Sequence, residues 1–342
     1  MNTSNSHTRQ HVLRQRQDGL TLVEMMIAML IGLFLTLGSI TVYMQSKRQF
    51  NVSDSMARLQ ENVRFALDVI EPDVRLASFW GLNDSAGPIN VPGGIPVFCD
   101  TNGADVSPAT IGNTAAANVI LQAEISIIDD VYGPPGITCP ANTVAAANSD
   151  VLILRHASAT AVPGIPGNIQ VVSNFTRGQL FNTGVMPGGF AVVPPAFPPQ
   201  IHNVAISAYY VDQQSDLDPN TPSLRMKILG PLGVWQDQEL VSGVENLQVQ
   251  FGVDVDADGD VERYVDADNA LVNPLVAPGQ IVAVRLWILA RAPIPELGFT
   301  DPGPYVTPDA NFPVINTGGA AFPAQNRRVQ MTKTVFLRNN RI

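Results

Sequence analysis

The chain has 342 residues, a formal net charge of −10, and 15% charged against 45% apolar residues. Gly and Pro, 27 each, exclude a helical bundle for most of it, because both break helix interiors. The acidic balance argues against nucleic acid as a partner, which demands a basic face, and two Cys with four His are too few for a Cys/His-rich zinc domain.

The apolar residues concentrate near the N-terminus. Met25 to Ser46 carries no charge and reads as almost entirely apolar or small. About 20 such residues in a helix cross the hydrocarbon core of a bilayer. A short basic stretch precedes the run, with Arg9, Arg14 and Arg16 opposed by Asp18. The apolar segment exceeds the core of about 7–15 residues expected of a cleaved secretory signal, and no Ala-x-Ala site closes it. Length alone therefore gives a membrane anchor. Glu24 does not fit a plain anchor, because a carboxylate entering hydrocarbon is costly and needs a partner.

The helical pattern continues. No Pro or Gly lies between Gly38 and Pro72. Leu59, Val63, Ala66, Leu67, Ile70 and Val74 recur at three-to-four spacing, with Arg58, Glu61, Arg64, Asp68 and Glu71 opposite, the pattern of an amphipathic helix. The expectation is one helix from about Leu20 to Phe79, kinked near Pro72 and about 90 Å long.

Beyond it, Pro/Gly clusters such as Gly87-Pro88, Gly133-Pro134-Pro135-Gly136 and Pro187-Gly188-Gly189 mark turns. The apolar runs between them, Val119–Leu121, Val151–Leu154 and Ile169–Val172, read as strands. Cys99 and Cys139 fall in this region. Chain following a basic leader and a membrane run is translocated, so oxidation is permitted. The pair is either a disulfide or two free thiols, and the compartment favours the disulfide. Such a bridge, over a loop of about 40 residues, is worth about 4 kcal/mol on the chain-entropy model. His156 and His202 have no metal-ligand spacing, and the sequence shows no catalytic constellation, so no enzyme is expected.

The C-terminal third carries the clearest strands: Val204–Asp212, Leu224–Ile228, the run from Gln238 to Asp254, Ile281–Ile288 and Thr332–Arg338. They imply an antiparallel sheet with one face on the long helix. In the run Asp254 to Glu262, side-chain oxygens from Asp254, Asp256 and Asp258, a carbonyl from Asp260 and a turn at Gly259 match the first half of a calcium loop. Val265 stands where the closing Glu belongs, and Asp266 comes one residue late. The loop is thus either a calcium site or a solvated acidic hairpin tip.

Gly19-Leu20-Thr21-Leu22-Val23-Glu24-Met25 resembles the cleavage and methylation motif of type IV prepilins: a basic leader ending in Gly, an apolar first mature residue and Glu at the fifth. The departure is Leu20, where Phe is commonest. Glu61 to Ala66, Ile70 to Ala77 and Phe79-Trp80-Gly81 are similar to the PilW group of minor pilins. So are Val244-Glu245-Asn246-Leu247, Tyr264, Val284-Arg285 and Val335 to Asn339. The resemblance implies an α+β, type IV pilin-like fold: a long N-terminal helix, transmembrane then amphipathic, packed on an antiparallel sheet with long Pro/Gly-rich loops. It implies a leader over 1–19, a transmembrane or filament-core helix over 20–46, its amphipathic continuation over 47–80 and a periplasmic domain over 81–342. Cleavage would fall between Gly19 and Leu20, methylation on the Leu20 amine, and the Glu24 carboxylate would neutralise that amine on a neighbour. Implied partners are other minor pilins, the major pilin, the prepilin peptidase/methyltransferase, the inner membrane and a PilY-family tip adhesin. The implied role is priming pilus assembly and capping its tip, first at the inner membrane and then at the cell surface. A type II secretion pseudopilin of the GspJ kind and a calcium-dependent adhesin on a pilin-like anchor are the alternatives.

Overall fold

The computed structural model describes residues 19, 21–83, 87–92, 95–97, 109–112, 119–120, 125–132, 139, 141–190, 198–256, 258–266, 269 and 280–337. The chain divides into two compact units, Met1–Asp54 and Ser55–Ile342. One helix, α1 (Leu22–Leu76), supplies the regular structure of the first and enters the second.

Within the second unit the buried positions of α1 are Leu59, Val63, Ala66, Leu67, Ile70 and Val74, the stripe expected from the sequence. The helix runs on through Pro72 and ends at Leu76, short of the expected Phe79. The stop is conformational. Ser78 takes a positive φ of 71°, the left-handed turn that follows many helix C-termini, and Phe79 N–H closes on the Leu76 carbonyl at 2.9 Å. The next residues pass beneath the sheet, where Trp80 is fully buried. Gly81 lies so close to Ser173 that a Cβ there would sit 2.5 Å from its hydroxyl.

Two large sheets take the place of the single one expected. The first has eight strands: β1 (Ile89–Asn90), β5 (Ile125–Ile128), β6 (Val151–Ala157), β7 (Gln170–Ser173), β8 (Gly178–Phe181), β9 (Gln200–Asp212), β10 (Ser223–Leu229) and β11 (Trp235–Ser242). The second has the order β13-β12-β14-β17, from β12 (Val244–Asp254), β13 (Arg263–Val265), β14 (Gln280–Arg291) and β17 (Arg328–Phe336), and is antiparallel throughout. Two small sheets complete the described strands: β2 (Ile95–Val97) with β3 (Ala109–Gly112) and β4 (Val119–Ile120), and β15 (Tyr305–Val306) with β16 (Val314–Ile315).

The run from Gln238 to Asp254 reads as one strand but is divided between the two sheets at Gly243. That residue has φ 93°. Its N–H bonds the Pro222 carbonyl and its carbonyl accepts from Arg291 N–H, both at 2.7 Å. A Cβ here would meet the Arg291 carbonyl oxygen at 2.6 Å, so the corner requires glycine on both counts.

Both sheets contribute to one core around α1. Leu152, Leu154, Tyr209 and Val211 from the first sheet, and Leu247, Val249, Phe251, Val284, Leu286 and Val335 from the second, join the helical stripe. The other face of the first sheet, with Val151, Ile153, Ala208 and Tyr210, packs on Trp80, Ile89, Trp235 and Cys139. Covering on both faces explains why β6 is apolar without alternation.

Candidate functional site

In the first unit the start of α1 is built by two residues. The Thr21 hydroxyl accepts the Glu24 N–H at 3.3 Å, while Glu24 Oε2 accepts both the Thr21 N–H and the Thr21 hydroxyl at 2.9 Å. Met25 N–H then closes the first turn on the Thr21 carbonyl at 3.2 Å. This is a capping box, Thr at the N-cap and Glu three residues on, each satisfying an orphan N–H of the other. The Thr-x-x-Glu spacing carries the signal, but the prepilin reading of Glu24 left Thr21 without a role. Gly19 is exposed. Leu20, the expected first mature residue, lies outside the described residues.

After the cap, α1 is long and apolar enough to cross a membrane by length and composition. Leu22, Met25, Ile27, Leu30, Phe34, Leu35 and Val42 are each more than half exposed. Its hydroxyls are turned inward: Thr36 bonds the Gly32 and Leu33 carbonyls, Ser39 that of Leu35, and Thr41 that of Gly38. Donors satisfied within the helix present no unpaired group to an apolar surround.

Cys139 is buried and disulfide-bonded, and its carbonyl accepts the Tyr132 hydroxyl at 3.0 Å. Cys99, expected as its partner, lies outside the described residues. His156 and His202 are held structurally. A ring nitrogen of each lies against a carbonyl, Ala157 at 2.9 Å and Ser158 at 2.7 Å. His156 Nε2 also faces Asp73 Oδ1 at 3.6 Å.

The acidic hairpin brings Asp254, Asp256, Asp258 and Glu262 together, with carboxylate oxygens within 4.8 Å of one another. Glu262, to which sequence reasoning gave no ligand role, joins this group of carboxylates. The same carboxylates also close the loop on itself: Asp254 accepts from Gly259 N–H, Asp258 from Asp260 N–H and Glu262 from Val255 N–H, at 2.7–2.9 Å. In chemistry the set suits a hard divalent cation.

The C-terminal fingerprint residue Glu245 is buried under two guanidinium groups. Arg328 contacts it through both arms, Nε at 2.6 Å and Nη2 at 3.0 Å, while Nη1 bonds Asp301 at 2.7 Å. Arg291 adds a longer bond at 3.3 Å. Burial pushes the Glu245 carboxyl upward, and the two guanidinium groups oppose that shift. Neither Arg328 nor Asp301 figured among the sequence-derived residues, since nothing in their spacing announces the contact.

Comparisons with known proteins fall on these two ends. Residues 14–40 match the family model of the prokaryotic N-terminal methylation motif, and residues 208–339 match that of type IV pilus-assembly protein W. No curated protein matches the chain. Among solved structures, a type IV-like pilin from Thermus thermophilus is similar over 83% of this chain and 98% of its own, at 11% identity and a TM-score of 0.32. The methylation motif covers the capping box and the apolar helix, and the second match covers the sheet built around Glu245. One chain thus joins an N-terminus similar to the prokaryotic methylation motif to a C-terminal region similar to type IV pilus-assembly protein W.

Proposed function

We propose that this chain is a minor pilin that primes type IV pilus assembly and stays at the tip of the filament it starts. The carrying observation is the coincidence of a prepilin-type N-terminus, its carboxylate poised at the first turn of an apolar helix, with a PilW-family sheet domain. In this reading a prepilin peptidase cuts after Gly19 and the Leu20 amine is methylated. The apolar segment of α1 then leaves the inner membrane to pack among the helices of neighbouring pilins. The work is association rather than catalysis.

Glu24 sets register in that packing. A cationic amine brought beside it by a neighbour finds a carboxylate already fixed in position by Thr21. A paired buried charge gains little over an apolar alternative, but removing one member typically costs about 3–5 kcal/mol. Slipped registers lose that pairing. The PilW match favours the pilus over a secretion pseudopilin.

The test has two arms. N-terminal sequencing of the mature protein is expected to begin at Leu20 with a methylated amine. Glu24→Gln is expected to be processed normally yet to lower the number of surface pili severalfold. A mature protein beginning at Met1, or wild-type piliation by Glu24→Gln, would overturn the reading.

A further inference from the structure

Sheet edges expose rows of unpaired N–H and C=O groups, and proteins commonly blunt them with short strands, charge, proline or bulges. Most sheet edges among the described residues are blunted. In the second sheet β13 has three residues and follows Glu262. In the first, β1 has two residues and β5 four, while β11 carries Asp237 and Glu239 in ion pairs with Arg225 and Lys227. The outer edge of β17 departs from this pattern. It has nine residues, contains no proline, and pairs with β14 without a register break.

The register identifies the groups that face outward. Leu337 N–H bonds the Val282 carbonyl at 2.9 Å, and the Arg327 carbonyl accepts from Ala292 N–H at 2.8 Å. Odd-numbered residues therefore hydrogen-bond with β14. In an antiparallel ladder the alternate residues point their backbone groups the other way, so those of Gln330, Thr332, Thr334 and Phe336 face outward. All four are exposed. Their side chains are uncharged, with two threonines and an aromatic that is 62% exposed, types that favour cross-strand pairing. On the other face, Lys333 is tied at 2.8 Å to Asp68 of α1, which fixes the strand against the helix.

We propose that the outer edge of β17 is a strand-addition site that receives an extended segment of a different subunit of the pilus. The assignment rests on the reading of this chain as a filament subunit. An unpaired ladder row selects an extended backbone as its ligand, and the exposed face selects uncharged, β-branched or aromatic neighbours. A second copy fits poorly. Antiparallel self-pairing of β17 generates a two-fold axis perpendicular to the sheet, so α1 would run in opposite directions in the two copies. Subunits anchored in one membrane carry that helix in the same direction.

Hydrogen exchange at single-amide resolution tests this, comparing the full chain alone in detergent with assemblies from cells that produce all subunits of the pilus. The amides of Gln330, Thr332, Thr334 and Phe336 are expected to exchange at least about tenfold more slowly in the assembly, a factor equivalent to one well-made interaction. Those of Met331, Lys333 and Val335 are expected to be protected in both samples. Thr332→Pro, which removes one outward donor, is expected to lower recovery in the assembly about tenfold while leaving the odd-numbered amides protected. If that variant fails to fold, Thr332→Lys with Thr334→Lys charges the same edge without altering the backbone and is expected to have the same effect.

Equal exchange of the four outward amides in both samples would overturn the proposal. So would protection that rises with concentration in the chain alone, which signals self-pairing. Absence of the chain from the assemblies would instead remove the filament-subunit reading, and the edge assignment with it.

Discussion

Arg328 spends every N–H it has. Nε and Nη2 grip Glu245, Nη1 reaches Asp301 and the Asn326 carbonyl, and Nη2 also reaches the Pro323 carbonyl. Its side chain is fully buried, and those of Glu245 and Asp301 are 1% exposed. A guanidinium this satisfied holds the segment after β14 against the start of β12, and removing it takes the closest cation from two buried carboxylates, leaving Glu245 with the longer Arg291 bond and Asp301 with the Tyr305 hydroxyl and Gly303 N–H. Arg328→Met is expected to lower the unfolding free energy by about 3–5 kcal/mol, measured by urea denaturation. Arg328→Lys should recover little of the loss, because an ammonium cannot reproduce the planar fork. A loss below about 1 kcal/mol for either variant would show that the network is incidental. The capping pair of Thr21 and Glu24 is the exposed counterpart: the same hydrogen-bond logic, at a position where water competes for each bond.

Among the elements, the corner between β11 and β12 matters most for the architecture. Gly243→Ala combines a left-handed backbone with a Cβ 2.6 Å from the Arg291 carbonyl oxygen. It is expected to cost about 2–3 kcal/mol, read as a lowered denaturation midpoint without a change in the sheet signal of the remaining native protein. This corner also shows where sequence reading stops. The stripe of α1 was legible because Leu59, Val63, Ala66, Leu67, Ile70 and Val74 follow the helical period. The strand runs were legible from alternation and β-branching, as in Leu247, Val249, Phe251 and Val253. The division of the run at Gly243 was not, since a single Gly within alternating residues does not say that the chain changes sheets. The same limit hid the pairing of Glu245 with Arg328, made across 83 positions of sequence. At the N-terminus, Glu24 was legible from its position and Thr21 was overlooked, because the charge drew the reading past the local cap.

For the molecule as a whole, two sets of carboxyl groups set opposing pH dependences. Burial, then the charges of Asp309 and Asp129, raise Asp130 to about 6, and burial pushes Asp150 well up. The Asp150 carboxylate accepts N–H groups from both Asp130 and Val249, so these groups stand where the two sheets are stapled. Asp73 and Asp237 behave in the opposite sense. Burial alone would raise them, but the His156 ring and the Tyr209 hydroxyl beside Asp73, and hydrogen bonds from Lys227, Tyr210 and Arg225 to Asp237, hold them low. A carboxyl raised on folding favours the protonated native state, so its penalty is absent below about pH 4 and grows until pH passes about 6 for Asp130. A carboxyl lowered on folding adds stability that is lost as pH falls through its folded value. Stability is therefore expected to peak in mildly acidic solution. Asp130→Asn should raise stability at neutral pH by about 1 kcal/mol after allowance for solvent screening, and should flatten the profile between about pH 4 and 6. A profile unchanged by the substitution would remove Asp130 from this account.

The placement of α1 between early and late strands governs when the domain can become whole. Its stripe closes on Val335, and its Asp68 meets Lys333, 265 positions later. A ribosome releases the first partner long before the last. Throughout that interval the amphipathic turns of the helix have only part of their cover, and contacts this distant in sequence form slowly. Cover for the face bearing Val63, Leu67 and Ile70 is therefore expected to be complete only once the final strand has paired.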